Sequence, residues 1–184
     1  MDISRSQRRT LLVEKAHAEL EGLSRRGVRT AGNAFSSVLL LKGEPSENEQ
    51  EGMPPLSGAD GKALRAALTA LGYAPEDWCA LLSVTANGEP LSPDLLRETL
   101  CVLDPATVIV CDEAAAQAMR DAYAEELVML DDFDAAMLMP GKIARVLGMR
   151  VMTLGGFAAA LGNAHEKQVM WHRLKQLPPL GEPY

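Results

Sequence analysis

The run Thr107-Val108-Ile109-Val110-Cys111 decides the fold class. Five apolar or β-branched residues in succession, with no polar alternation, suit a strand buried on both faces. Three further runs, Val38–Leu41, Ala80–Val84 and Arg150–Leu154, read the same way. Helical patterns separate them. Asp60 to Leu71 places Ala63, Leu64, Ala67, Leu68 and Leu71 at helical spacing and meets a stop at Gly72. Ser92-Pro93-Asp94 supplies an N-cap and a proline at the first helical position, opening a helix to about Leu103. A helix follows Cys111 through about Glu125, another spans about 8–23, and Asn163 caps a last one ending near Leu177. Leu127–Leu130 reads as a further strand and Lys142–Leu147 as a short helix. Buried strands alternating with helices predict an α/β fold of three layers, α/β/α, with a mostly parallel central sheet.

The 184 residues show no linker and no internal repeat, so a single domain over 1–184 is expected. A composition of 47% hydrophobic and 23% charged residues is that of a globular chain and excludes collagen-like and disordered classes. No apolar run approaches the roughly 20 residues of a membrane helix, so no membrane association is expected. The basic start is interrupted by Glu14, Lys15 and Glu19 and does not read as a secretory signal. Cys79, Cys101 and Cys111 form no CxxC pair, which points to reduced thiols and a cytoplasmic location. Cys111, ending an apolar run, reads as a small buried hydrophobe.

The net charge of −7 is unevenly spread. Residues 1–42 carry eight bases and four acids, residues 43–141 four against nineteen, and residues 142–184 six against two. A duplex-binding surface depends on basic side chains that neutralise phosphates. The acidic middle opposes this, so DNA is expected to bind weakly, through the basic ends.

In parallel sheets ligands bind beyond the carboxyl ends of the strands. The segment GEPSENEQEGMPPLSG (43–58) follows the Val38–Leu41 strand and reads as a long loop. Glu44, Glu47, Glu49 and Glu51 give it four carboxylates suited to activating water or holding a cation. A solvated acidic loop is the commoner meaning of such a composition. Gly43, Gly58 and Gly61 are positions where backbone could approach a ligand closely. His165 and His172 are seven apart without a third ligand, so no metal site is expected. Trp171 reads as a core anchor. No P-loop, nucleophile elbow or dinucleotide fingerprint is present.

The stretch VLLLKGEPSENEQEGMPPLSGADGKALRAALTALG resembles the first motif of the uracil-DNA glycosylase superfamily, especially its bacterial iron–sulfur (family 4) branch. That pattern is a hydrophobic strand, GEAPG, an acidic stretch, GxPFxGxxG and a helix. Gly43-Glu44-Pro45 and Pro55-Leu56-Ser57-Gly58-Ala59-Asp60-Gly61 match its ends. The tail GGFAAALGNAHEKQVMWHRLKQL is similar to the second motif region, HPAxLLRNPxxKxxxWxxL, at Leu161, Asn163, Lys167, Trp171 and Leu174. TVIVCDEAAAQAM resembles the intervening strand and helix. The resemblance spans roughly residues 8–177 and implies the superfamily's parallel sheet between helices.

By the same resemblance, Glu44 and Glu49 fall in the catalytic motif, with Asn48 or Glu49 in the water-positioning role. The substrate-binding positions fall on Gly43, Asn48, Leu56, Ser83, Gly156 and Phe157. Several carry the wrong chemistry. Leu56 stands where an aromatic ring stacks on the flipped base, and Ser83 near the asparagine that reads the uracil edge. Gly156 and Phe157 replace the histidine and proline of the second motif. Only Cys101 falls on a cluster-cysteine position, so no iron–sulfur cofactor is expected. Base recognition relies on stacking and edge hydrogen bonds, and losing one electrostatic stabiliser typically costs about 10²–10³ in rate. The implied protein is a glycosylase-like domain without uracil excision, a module binding an unknown small molecule or protein. The alternative is a divergent DNA glycosylase hydrolysing the N-glycosidic bond of another damaged base.

Overall fold

Along the first of the long apolar runs, Leu39 and Leu41 face one side and Val38 and Leu40 the other, and all four are fully buried. That two-sided burial requires helices on both faces of the sheet. In the computed structural model, which describes residues 5–177, the chain begins with α1 (Arg5–Arg25), β1 (Arg29–Gly32) and β2 (Val38–Lys42). It continues through α2 (Glu47–Gln50), α3 (Ala59–Ala70), β3 (Cys79–Leu82), α4 (Pro93–Leu103) and β4 (Thr107–Val110). Then come α5 (Glu113–Ala122), α6 (Ala124–Leu127), α7 (Phe133–Ala136), β5 (Ile143–Val146), β6 (Met149–Thr153), α8 (Phe157–Ala160) and α9 (Ala164–Leu174).

The six strands form one sheet in the order β1-β3-β2-β4-β6-β5. The inner four are parallel, whereas β1 pairs antiparallel with β3 and β5 antiparallel with β6. The sheet is therefore mixed, which corrects the expectation of a mostly parallel one. Two short edge strands cause the difference. β5 and β6 join through Leu147 and Gly148, both at positive φ, the geometry of a two-residue hairpin turn. That hairpin occupies the segment expected to be a helix over Lys142–Leu147. The spacing of Ile143 and Val146 suits a helix, but strand pairing in the hairpin overrides it. β1 carries the sequence RTAG, too short and polar to announce a strand.

The segment expected as a strand over Leu127–Leu130 is instead the end of α6 and a turn, with Val128 and Met129 exposed. Elsewhere the pattern holds. Ser92 caps α4 through Leu95 N, and Asn163 caps α9 through His165 N and Glu166 N. β2, β4 and β6 are buried at every position.

Helices α1, α4 and α5 contribute Leu23, Leu96, Leu100 and Met119 to the core on one face of the sheet. Helices α3, α8 and α9 contribute Leu64, Leu68, Phe157, Met170 and Leu174 to the core on the other. The helix after β2 thus lies on a different face from those after β3 and β4. The chain leaves β2 towards β3 and returns across it to β4, which makes the gap between β2 and β4 the topological switch point, where such sheets open a crevice.

Candidate functional site

Lys42 ends β2 on the α3 face of the sheet, and its ammonium is buried at the bottom of that crevice. It donates to Glu49 Oε2 at 2.7 Å and to Asp60 Oδ2 at 2.6 Å. Burial alone would pull its pKa down, but the bonds to Asp60 and Glu49 outweigh burial and raise it above the ordinary lysine value. The ammonium is therefore a fixed cation at neutral pH and no base.

Glu49 is fully buried and accepts four hydrogen bonds. The donors are Lys42 Nζ, Ser46 N at 2.6 Å, Ser46 Oγ at 2.9 Å and Leu56 N at 2.6 Å. Ser46 and Glu49 form a capping box around the single turn of α2. Burial pushes the carboxyl up, yet the bonds from Lys42, Ser46 and Leu56 prevail and hold it below the usual glutamate range. Three of these bonds fall on Oε2 and one on Oε1, and the buried carboxylate does not line the cleft.

Leu56 is held in the left-handed region at φ 54°, with its N–H on Glu49 and its carbonyl accepting from Arg65 at 2.9 Å. For a leucine that conformation costs roughly 1–2 kcal/mol. Gly61 makes it possible: a Cβ there would stand 1.8 Å from Leu56 O. The close approach that Gly61 permits is to the chain's own backbone, which corrects its reading as a ligand contact. Gly43 behaves alike, since a Cβ there would lie 2.4 Å from Ala115 N.

Asp112, at the exit of β4, accepts from Gly43 N, Glu44 N and Ala115 N, each at about 3.0 Å. It caps α5 and ties the ends of β2 and β4 together. A helix N-terminus at a switch point is an anion site. Here the protein's own carboxylate occupies those donors.

Above this layer lies a cleft of about 70 Å³ lined by Lys42, Glu44, Leu56, Asp112, Gly156 and Phe157, together with Cys111 and the start of α8. Ligand pockets usually measure about 300–1,000 Å³; this one suits a few waters. Burial, and next the charge of Asp112, push the Cys111 thiol far above the ordinary range, so it is no nucleophile.

Of the residues expected at the site, Glu44, Leu56, Gly156 and Phe157 line the cleft. Glu44 is exposed at its mouth. Gly43 and Glu49 lie behind the lining, Glu49 buried and accepting from Lys42, Ser46 and Leu56. Asn48 is exposed and does not line the cleft. Ser83 is buried in the sheet, where its N–H donates to Lys42 O and its carbonyl accepts from Leu91 N. Trp171, expected in the core, is exposed beside an apolar groove between α3 and α9. Lys42, Asp60 and Asp112 went unassigned. One signal pointed to them: a lysine directly after VLLL is buried with its strand and needs an acid. The spacing Ser46-x-x-Glu49 likewise spells the capping box.

Among the described residues, no group of three or more His, Cys, Asp or Glu is placed to hold a metal ion. Cys79 and Cys111 are buried and Cys101 is exposed on α4. Among the described residues, no helix is long and apolar enough to cross a membrane. No protein-family model matches this chain, and no curated protein matches it.

Proposed function

We propose that this chain is a uracil-DNA glycosylase-like domain that does not excise uracil and serves as a binding or interaction module. The observation that carries the reading is the state of Glu49. The carboxylate in the motif that resembles a glycosylase's is spent on Lys42, Ser46 and Leu56. Three further features support it. The cleft holds about 70 Å³, Leu56 offers no ring for stacking, and the backbone donors that would favour an anionic leaving group are taken by Asp112. Gly156 has no side chain to set against a base, and the space where its Cβ would stand is open.

One observation favours the alternative, a divergent glycosylase: Glu44 keeps an exposed carboxylate at the cleft mouth. The experiment is base release from single- and double-stranded DNA carrying uracil or other damaged bases, with purified full-length protein. No release is expected, and equal, weak, salt-erased binding to duplexes with and without uracil. Release that disappears in Glu44→Gln would overturn the proposal in favour of the alternative.

A further inference from the structure

Among the described residues, two of the apolar surfaces that lie open carry opposite charge. The first is on α6, α7 and the turn between them. Val128 is 75% exposed, Met129 80% and Phe133 73%, and Met137 and Met139 are exposed beside them. Of these, Val128, Phe133 and Met137, with Leu127, Leu130 and Ala136, border a groove of about 420 Å³, six times the strand-end cleft. Methionines and a phenylalanine on an open face suit an adaptable helix-binding surface. Arg120 in the groove lining pairs with Glu113, Glu126 with Arg97 and Asp134 with Lys142, whereas Asp121, Glu125, Asp131 and Asp132 form no ion pair among the described residues and leave the rim acidic.

The second surface is the N-terminal half of α1. Leu20 and Leu23 anchor the other half against the core. Arg9 to Lys15 are all exposed, including Leu11 at 53%, Leu12 at 62% and Val13. Within this stretch Arg9 and Lys15 stand against Glu14. Helices in proteins are held chiefly by packing an apolar face, and a stretch this short is marginal without it.

We infer that the N-terminal half of α1 in one copy docks on the acid-rimmed α6–α7 groove of a second copy, so that the protein self-associates through a basic, leucine-bearing helix. Reciprocal exchange of two arms closes a two-fold dimer. Each arm contributes only about 10 Å of helix, at 1.5 Å per residue, so the interface is small and its affinity modest, in roughly the micromolar range. The inference does not rest on the reading of the cleft and stands if that reading fails.

Sedimentation velocity of the full chain, from about 1 to 200 µM so as to bracket that affinity, tests it at low and high salt. A concentration-dependent dimer that weakens with salt is expected. Leu12→Asp and Phe133→Asp, on opposite sides of the contact and both exposed in the free chain, should each give a monomer with unchanged helical content. The charge-reversed pair Glu125→Lys with Asp131→Lys, and separately Arg9→Glu with Lys15→Glu, should each be monomeric alone and associate when mixed. A monomer at every concentration overturns the inference. So does a dimer that either Leu12→Asp or Phe133→Asp leaves intact, or a mixture of the charge-reversed chains that stays monomeric.

Discussion

The end of the sheet at β2 and β4 and the surface of α6 and α7 are both places where helices meet strand ends, yet they dispose of their side chains in opposite ways. At the strand ends the buried charged groups are matched. Lys42 has two carboxylates, Glu49 four donors, and Asp112 three backbone N–H groups. The space left over is small, and the chain accepts a left-handed leucine to fill it. On α6 and α7 the polar groups lie at the rim and large apolar side chains face solvent. The contrast teaches where to look for recognition. A constellation resembling an active site can be closed by its own side chains, whereas an unremarkable pair of one-turn helices leaves surface uncovered.

The largest expected effect breaks the closed region. Lys42→Met removes the cation and leaves Glu49 and Asp60 buried without their partner, which should cost about 3–5 kcal/mol in chemical denaturation. A loss below about 1 kcal/mol would mean that the two carboxylates find other partners and that the region is not locked. Next comes Asp112→Ala. It strips the cap from α5 and the acceptor from Gly43 N and Glu44 N, and a loss of about 2–3 kcal/mol is expected. Recovery of that stability by added phosphate or sulfate would show that the vacated donors form an anion site.

The pH dependence should be smaller. Glu49 has its pKa lowered by folding, so its contribution is complete above the ordinary glutamate value and is lost as pH falls through the depressed folded value. Lys42 has its pKa raised, so its contribution is complete below the ordinary lysine value and is lost as pH rises through the elevated folded one. Stability should therefore be flat between those limits and fall on the acid side. Glu49→Gln should give a lower plateau with a shallower acid limb; an unchanged limb would assign acid unfolding to other carboxylates. The smallest effect belongs to the open region. Phe133→Asp should change monomer stability by no more than about 0.5 kcal/mol, because an exposed side chain has little burial to lose. A loss of several kcal/mol would place Phe133 in the core and erase the contrast.

The sequence by itself determined the buried strands and most helix starts. Unbroken apolar runs such as Val38–Leu41 and Thr107–Val110 have no stable place except between two layers of helices. Ser92 and Asn163 mark helix starts through local bonds that any context allows. Glu44, Leu56 and the Gly156-Phe157 pair, singled out through the glycosylase resemblance, line one cleft. Only the tertiary structure decided what those residues do. Glu44 and Glu49 are five apart in one acidic segment, and nothing local tells the exposed carboxylate from the buried one. That distinction comes from Lys42 and Asp60, brought together by the sheet and the first turn of α3. The antiparallel edges were hidden for a related reason. The short edge strand RTAG carries little hydrophobic signal and IARV a signal that suits a helix as well, and pairing with β3 and β6 fixes their conformation. Local pattern records what a residue's neighbours in the chain allow; direction of pairing and the fate of a buried charge depend on partners distant in sequence, and folding alone supplies those.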